Sequence, residues 1–307
     1  MTKNILLTGA NGFVGSFFLK NAIKTDYNFI ILVRENSNLY RIEDLIKKNN
    51  QIVKLYKSDT KNLPEIFERN KIDSIVHLAT NYIKEDNYSD IQALIDSNIT
   101  FPSHLLELSK IYNIKGFINT GTFFEYDQQQ THFNERTKIQ PYNFYAKTKL
   151  MFQDALEAYS KDFNSTTLKL FSPYGPMDNN KVIPYIISSI IKDKEIILSN
   201  PNESCDFTFV EDITSAFIKT LDKLNSGKLP KNINICSGVY TTISELVATI
   251  ESLMQKKANI SYKCNNSIPI KSSCIRVAKK EINWEPKNGL RDGLKNTIKY
   301  YEGLYEI

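Results

Sequence analysis

A short apolar strand, a glycine-rich turn and the start of an amphipathic helix occupy the N-terminal part of the chain. The strand is Ile5–Leu7, glycines follow at positions 9, 12 and 15, and apolar residues recur at helical spacing over Phe17–Ile23. A strand that enters a helix through such a turn points backbone N–H groups at one place, where they can hold a pyrophosphate. The junction predicts dinucleotide binding, although glycines also occur at strand–helix turns that bind no ligand.

Short apolar runs alternate with longer amphipathic segments through the first half of the chain. The predicted strands are Ile5–Leu7, Phe29–Val33, Ile52–Tyr56, Ser74–Leu78, Phe117–Asn119 and Thr167–Leu170. The predicted helices between them include Phe17–Ile23, Ile42–Lys48, Leu94–Tyr112 and Tyr145–Tyr159. Alternation at this spacing indicates an α/β fold built on a Rossmann-type, doubly wound parallel sheet.

The regular alternation of strand and helix patterns ends at about residue 172. Prolines follow, with short strand patterns at Lys194–Leu198 and Asp206–Val210. We predict a dinucleotide-binding domain over residues 1–171, to which residues 211–237 return. Residues 172–210 and 238–307 are then expected to form a smaller C-terminal substrate-binding lobe. The cleft between the two, outside the carboxyl ends of the strands, is the expected ligand site.

Composition argues against several classes of partner. The 307 residues include 39 basic and 34 acidic ones, for a net charge of +5, but no dense basic run, so nucleic-acid binding is not expected. No apolar run approaches the roughly 18 residues of a membrane span, and no signal-type segment follows Met1. Neither the four cysteines nor the three histidines have metal-site spacing, so we expect a cytoplasmic protein with reduced thiols and no metal.

A phenol and an ammonium lie one helical turn apart at Tyr145 and Lys149. A lysine so placed favours the phenolate and is expected to lower the tyrosine pKa from its usual value of about 10. Thr122 stands 23 residues earlier, at the end of a predicted strand. These residues are typical of redox chemistry at a carbinol or ketone, although Tyr145 is one of 17 tyrosines and Thr120 competes with Thr122 for the role.

Eight segments, in the same order, resemble the extended short-chain dehydrogenases/reductases, the NAD(P)-dependent epimerase/dehydratase group that acts on nucleotide sugars. They are Thr8–Gly15 (TGxxGxxG), Asp59-Thr60 (the aspartate on the adenine), His77–Thr80 (HLAA), Asn98 (the structural asparagine), Asn119–Tyr126 (SSxxVYG), Tyr145–Lys149 (YxxxK), Leu170–Pro176 (RxFNxYGP) and Ile282–Pro286 (LGWxP). The correspondence covers nearly the whole chain.

The resemblance implies catalytic roles for Thr122, Tyr145 and Lys149. With Arg34 and Ser37 after the second strand, the predicted cofactor contacts are Gly9, Asn11, Gly12, Phe13, Val14, Gly15, Arg34, Ser37, Asp59, Thr60, Leu78, Ala79, Thr80, Asn98, Thr120, Tyr145, Lys149, Phe171 and Pro173. The predicted substrate contacts are Asn81, Thr122, Phe123, Ser172, Lys181 and Lys271. Relatives form dimers through two helices, which here span Leu94–Tyr112 and Tyr145–Phe163. We expect a homodimer, because these helices carry more apolar surface than one sheet face should cover: Leu105, Leu106, Leu108, Leu150, Met151, Leu156 and Tyr159.

Arg34 ends the second predicted strand, where an NAD enzyme of this fold usually has an acidic residue on the ribose hydroxyls. An arginine fork pairs well with a 2′-phosphate, so NADP(H) is the preferred cofactor. NAD(H) remains possible if Glu35 takes the acidic role and Arg34 is merely solvated.

The residues after Thr122 narrow the reaction. Dehydratases of the group carry Asp-Glu there, whereas this chain has Phe123 and Phe124, which move no proton. Bifunctional epimerase–reductases have a histidine where this chain has Met177. Reduction of a nucleotide-linked 4-keto-6-deoxy sugar, as in the CDP-abequose and CDP-paratose synthases that the chain resembles, and 4-epimerisation both remain; a non-catalytic dinucleotide sensor is a further alternative.

Two departures concern the substrate end. Cys205 stands where many relatives have an arginine on the diphosphate, and Ser172 replaces the asparagine of RxFN. The positive charge for a nucleotide diphosphate is therefore expected from Lys181 or Lys271, each of which is alternatively a solvated surface lysine.

Overall fold

The computed structural model describes residues 2–57, 60–83, 85–179, 181–224 and 226–305. Its strands are β1 (Lys3–Thr8), β2 (Tyr27–Val33), β3 (Val53–Lys57), β4 (Ser74–His77), β5 (Gly116–Thr122), β6 (His132–Phe133), β7 (Asn164–Leu170), β8 (Pro173–Tyr174), β9 (Ile196–Leu198), β10 (Ser204–Asp206), β11 (Thr208–Phe209), β12 (Asn232–Ile235), β13 (Tyr240–Thr242), β14 (Ile260–Tyr262) and β15 (Ser272–Ser273). Its α-helices are α1 (Phe13–Ala22), α2 (Glu43–Lys48), α3 (Leu63–Arg69), α4 (Ile91–Ile95), α5 (Phe101–Ile111), α6 (Phe144–Ala158), α7 (Val182–Ile191), α8 (Val210–Leu224), α9 (Ile243–Met254), α10 (Arg276–Ile282) and α11 (Leu290–Tyr305). Two 3₁₀ turns span Tyr88–Asp90 and Phe123–Glu125, and a π-helical segment spans Asp96–Thr100.

Seven of the described strands form one parallel sheet in the order β12-β7-β5-β4-β1-β2-β3. The strand order reverses between β1 and β4, which is the topological switch point of a doubly wound sheet. The predicted Rossmann-type α/β fold is thus confirmed. Strand β12 pairs with β7 at the sheet edge, so the chain does return to the sheet within residues 211–237; the division into two domains stays a prediction.

The residues of β1 pack alternately on opposite faces of the sheet. Ile5 and Leu7 belong to the core beneath α1, α8 and α10, whereas Leu6 belongs to the core beneath α3, α5 and α6. All three side chains are fully buried. A parallel strand covered on both faces carries consecutive apolar residues for this reason, and each such side chain contributes about 1.5–3 kcal/mol on burial.

A third hydrophobic core lies outside the sheet, where α7, α9 and α11 pack together. Ile186, Leu246 and Leu294 are fully buried in it. The same cluster includes Phe17 of α1. The C-terminal part of the chain is therefore seated directly against the helix that follows the glycine turn.

The helix predicted over Leu94–Tyr112 is interrupted in the structure. In the π-helical segment the N–H of Phe101 donates to the carbonyl of Asp96, and α5 begins only after it. Pro102 explains the interruption, because it has no N–H to donate to the carbonyl of Asn98 in a continuous α-helix. The wider turn leaves Asn98 buried.

The strand predicted at Asp206–Val210 is divided in two. Strand β10 pairs with β13, whereas β11 pairs with β8, and Val210 already belongs to α8. The division follows from this change of partner, since one continuous strand edge cannot align with both.

The apolar surface expected at a subunit interface is mostly covered within one chain. Leu105, Leu106 and Leu156 are buried in the core between the helices and the sheet, because α5 and α6 lie directly on the sheet face. Leu108 is buried there as well. Met151 of the predicted apolar surface remains exposed, and so does Ile111 on α5.

Three backbone segments approach one another closely at the switch point. Gly9 has φ +72°, and a Cβ at that position would lie 2.5 Å from the backbone N of Ala79. A Cβ at Gly15 would lie 2.0 Å from the carbonyl oxygen of Gly9. The end of β1, the first turn of α1 and the end of β4 can therefore pack at this distance only if both residues are glycine.

We expect Gly15→Ala to lower the free energy of unfolding by about 2–3 kcal/mol, because the new methyl group must displace backbone rather than a flexible side chain. Gly303→Ala is the matched control, since a Cβ at Gly303 in α11 meets nothing within 4 Å, and it should stabilise by about 0.5–1 kcal/mol. Urea denaturation of the two variants measures both effects. Equal stabilities would contradict the packing argument.

Candidate active site

The glycine turn ends at an uncapped helix N-terminus. Gly12 is the N-cap of α1 with extended backbone (φ −75°, ψ 174°) and no side-chain cap. Its N–H donates to the carbonyl of Gly9 at 3.0 Å, which closes the turn. The first-turn N–H groups of Phe13, Val14 and Gly15 have no intrahelical acceptor at such an end. With the glycines leaving room for a close approach, this end of α1 fits the pyrophosphate of a dinucleotide.

The loop after β2 packs on the glycine turn. Asn11 donates from its side chain to the carbonyl of Asn38 at 3.2 Å, and Arg41 donates to the carbonyls of Asn11 (3.3 Å) and Met177 (2.9 Å). Arg34 opens this loop and is exposed, with its carbonyl accepting the Ser37 N–H at 3.0 Å.

Glu35, the competing acidic residue, is exposed and paired with Lys57 at 3.2 Å. Arg34 is thus exposed directly after β2, and the Glu35 carboxylate has Lys57 as an ion-pair partner at the surface. Thr60 is exposed beyond β3, and Asp59 lies outside the described residues.

Asn98 holds the segment after β4 in place. Its side-chain oxygen accepts from the Asn81 N–H (2.8 Å) and the Thr80 hydroxyl (3.1 Å), and its amide nitrogen donates to the Asn81 carbonyl (3.1 Å). The same nitrogen donates to the Thr148 hydroxyl of α6 at 3.0 Å. Asn98 thus joins the β4 loop to the helix that carries Tyr145, a structural role in agreement with the family pattern.

The remaining predicted cofactor contacts lie at the ends of the strands. Leu78 is buried, and the Ala79 N–H donates to the Thr8 hydroxyl at 3.2 Å. The Thr120 hydroxyl donates to the carbonyl of His77 at 2.8 Å. Phe171 is buried and follows β7, and Pro173 begins β8.

Tyr145 and Lys149 lie in the first turns of α6, and both are buried. Asn143 caps this helix by accepting the Ala146 N–H at 2.9 Å. Thr122 is the last residue of β5, and α6 packs against β5 and the following 3₁₀ turn. The ring of Tyr82 meets the Tyr145 ring edge-on at 5.0 Å. The three predicted catalytic residues therefore come from adjoining elements.

Burial controls the electrostatics of the tyrosine–lysine pair. It raises the pKa of Tyr145, and a hydrogen bond with Thr80 acts in the opposite direction. Burial lowers the pKa of Lys149 to about 8, and the Glu125 carboxylate opposes that shift. The prediction that Lys149 lowers the Tyr145 pKa is wrong for this structure, because desolvation of the phenol outweighs other influences.

A buried ion pair adjoins the catalytic residues, and sequence reasoning missed it. Glu125 and Lys169 lie 2.9 Å apart with side-chain exposures of 0% and 1%. Glu125 also accepts the Thr122 N–H at 2.7 Å. Two signals in the sequence mark the pair: an acid where SSxxVYG has valine, and a lysine within an otherwise uncharged strand.

The residues that follow Thr122 form an aromatic cluster with Phe171. The Phe123 and Phe124 centroids are 4.2 Å apart, and Phe123 stacks on Phe171 at 5.4 Å. Ser172 follows with φ +22°, and its side chain hydrogen-bonds Cys205. This surface is apolar where a dehydratase needs an acid and a base.

The two lysines proposed for the diphosphate lie in different places. Lys181 pairs with Asp178 at 3.2 Å, donates to the Pro173 carbonyl at 3.0 Å and lies over the Phe13 ring beside the glycine turn. Lys271 lies 5.8 Å from the centre of the Phe133 ring, which packs with Phe171. Lys271 is thus nearer to the predicted substrate surface, whereas Lys181 is engaged beside the predicted cofactor site.

Within the described residues, no group of three or more histidine, cysteine, aspartate or glutamate side chains is arranged to hold a metal ion. Among the same residues, no helix has both the length and the apolar character needed to cross a membrane.

Three comparisons place the chain among known proteins. The chain is 29% identical to a UDP-glucuronate 4-epimerase of Thermodesulfobacterium geofontis over 98% of this chain and 97% of the relative. It is 28% identical to a CDP-abequose synthase of Salmonella muenchen (85% and 84%) and 26% identical to a dTDP-4-dehydro-6-deoxyglucose reductase of Escherichia coli (97% and 97%). The crystal structure of a Bacillus cereus UDP-glucuronic acid 4-epimerase with UDP-glucuronic acid and NAD superposes with a TM-score of 0.86 at 22% identity, covering 98% of this chain and 100% of that one. Because the family model for NAD-dependent epimerases and dehydratases matches residues 5–236, the chain belongs to the NAD-dependent epimerase/dehydratase family.

Proposed function

We propose that the protein reduces the C4 ketone of a nucleotide-activated 4-keto-6-deoxy sugar with NADPH, a step toward deoxy sugars of surface polysaccharides. The observation that carries the proposal is the buried pair Tyr145 and Lys149, on a helix that packs against the end of β5 at Thr122. The relatives named as CDP-abequose synthase and dTDP-4-dehydro-6-deoxyglucose reductase support this reaction class.

Each residue has a separate task in this mechanism. When bound, the nicotinamide supplies hydride to the sugar carbon. The Thr122 hydroxyl donates a hydrogen bond to the carbonyl oxygen, and Tyr145 gives its proton to the developing alkoxide as general acid, worth about 10²–10⁴ in rate. The Lys149 ammonium would hold the nicotinamide ribose.

Burial raises the pKa of Tyr145, so the phenol carries at neutral pH the proton that reduction needs. An epimerase would start from the same protonated phenol, so the ionisation of Tyr145 does not distinguish the two reactions.

The second candidate is an NAD-dependent nucleotide-sugar 4-epimerase. The Thermodesulfobacterium geofontis and Bacillus cereus relatives carry that name, and the latter is in complex with NAD. An epimerase returns its hydride and consumes no cofactor, so net oxidation of NADPH distinguishes the two reactions.

We expect Tyr145→Phe to reduce kcat by about 10²–10⁴ because the general acid is lost. Affinity for NADPH should change little, since the ring and its packing against Tyr82 remain. Tyr159→Phe at the end of the same helix is the control; its hydroxyl donates to exposed Glu107 and should not affect turnover. The assay follows NADPH absorbance with CDP-, dTDP- and GDP-linked 4-keto-6-deoxy sugars. Wild-type turnover in the Tyr145 variant would overturn the assignment.

We expect the wild type to bind NADPH more tightly than NADH by roughly ten- to a hundred-fold, since a charge-assisted contact is worth about 1.5–3 kcal/mol. Arg34→Asp should reverse this preference by replacing attraction to the 2′-phosphate with repulsion. Arg69→Asp, an equal charge change at an exposed position of α3, should leave the preference unchanged. Fluorescence titration with both reduced cofactors measures the ratio of the two affinities. A wild-type preference for NADH would make the epimerase the favoured function.

We also propose a homodimer formed by the α4–α5 and α6 surfaces. Met151 is 43% exposed and Ile111 58% exposed on these helices. Light scattering at micromolar concentration should give twice the chain mass of 35.4 kDa, and Met151→Glu should lower it by placing a charge in an apolar contact. A wild-type protein of monomer mass would refute the dimer.

A further inference from the structure

The ion pair between Glu125 and Lys169 lies wholly inside the protein. One carboxylate oxygen is 2.9 Å from the Lys169 ammonium, and the other accepts the Thr122 N–H at 2.7 Å. The ammonium also lies 4.6 Å from the centre of the Tyr126 ring, whose hydroxyl donates to Asn234 at 2.7 Å. Both charges are therefore paired, and the carboxylate is directly bonded to the backbone of a predicted catalytic residue.

Stability alone is a weak explanation for this arrangement. Desolvating two charges costs about as much as their attraction returns, and apolar replacements of similar volume are often neutral or stabilising. A pair retained under these conditions calls for a role that an apolar pair could not fill.

Strand β5 is shaped to admit the pair. Gly121 pairs in register with Lys169. A Cβ at Gly121 would lie 2.7 Å from the Glu125 carboxylate and 3.1 Å from Cγ of Lys169. Because Gly121 has no side chain, the side chains of Glu125 and Lys169 have room to meet next to β5, one residue before Thr122.

The Glu125 charge also reaches the catalytic lysine. It raises the pKa of Lys149, against burial, which brings that pKa down to about 8. The other titratable groups facing this site are Tyr145 on the same helix, His77 at the end of β4, Tyr82 beyond it, and Tyr126 and Glu135 beside the ion pair. Burial and Lys149 both lower the pKa of His77, so it is neutral and adds no second positive charge. Burial keeps Tyr82, Tyr145 and Tyr126 protonated by raising the pKa of each phenol, and it also raises the pKa of the Glu135 carboxyl, which the Lys169 ammonium opposes. Glu125 is the carboxylate among the described residues that acts on Lys149.

We propose that Glu125 is a positioning residue of the active site, clamped by Lys169, which fixes Thr122 through its backbone N–H and places its buried charge in the turn that packs against the helix of Lys149. The inference rests on cofactor binding by Lys149, and it holds for a reductase and an epimerase alike.

The test uses the double variant Glu125→Gln/Lys169→Met, which removes both charges of the pair and leaves Lys149 as the buried cation whose titration is followed. Affinity for NADH, which has no 2′-phosphate to titrate, is measured by fluorescence from about pH 6.5 to 9.5. In the wild type the affinity should fall as the pH rises through the Lys149 pKa of about 8. In the double variant this fall should begin about one pH unit lower. At pH 8 the variant should bind roughly three- to ten-fold more weakly, since a charge-assisted contact becomes a neutral one.

The control is Asp127→Asn/Lys138→Met, which neutralises the ion pair two residues further on, 3.2 Å across, and should leave the profile unchanged. Glu125→Gln alone is measured beside it, because a glutamine retains the hydrogen bond to Thr122 and nearly the same shape. A purely structural pair would change the melting temperature without moving the pH profile. The proposal is overturned if folded Glu125 variants follow the wild-type profile. Because no sugar is needed, this result is independent of the substrate and reaction proposed above.

Discussion

The close backbone contact at the switch point is the constraint on which the site depends. The glycine turn, the first turn of α1 and the end of β4 meet at distances that exclude a Cβ at Gly9 or Gly15. This contact points the N-terminus of α1 across the ends of the central strands. It also brings the Ala79 N–H to the Thr8 hydroxyl, so the loop that leads to Thr80 and Asn98 begins from a fixed position. The residues predicted to bind the cofactor and the residues predicted to be catalytic are therefore positioned by the same backbone contact.

Local sequence signals were sufficient for the sheet and for the helix of the tyrosine–lysine pair. Strands β1 and β2 carry runs of consecutive apolar residues, Ile5–Leu7 and Phe29–Val33, because both faces of the sheet are covered, and that pattern is visible in the sequence. The π-helical segment before α5 was not predicted, although Pro102 marks the place where a continuous helix fails. The surplus of leucines on α5 and α6 was misread because periodicity shows an apolar face without showing how much of it the sheet covers.

The pKa shifts and the buried ion pair could not be predicted from the spacing of residues in the sequence. Tyr145 and Lys149 are four residues apart, which predicts that the cation lowers the phenol pKa, yet burial raises it. Likewise, Glu125 and Lys169 are 44 residues apart in the sequence, and only the parallel register of β5 with β7, which sets Gly121 beside Lys169, brings them together. Desolvation and strand register are properties of the folded chain.

The buried charges next to the predicted site suit a reaction in which negative charge develops on the sugar oxygen. Lys149 and Lys169 are buried cations, and the carboxylates of Glu125 and Glu135 act on them. A developing alkoxide at the sugar carbon is negative, and a fixed cation in a low-dielectric site stabilises such charge strongly. With Glu125 absent, burial would lower the Lys149 pKa unopposed, and Lys149 would lose its proton more readily. The carboxylate thus allows a lysine to be both buried and charged, which is the state that cofactor and alkoxide require.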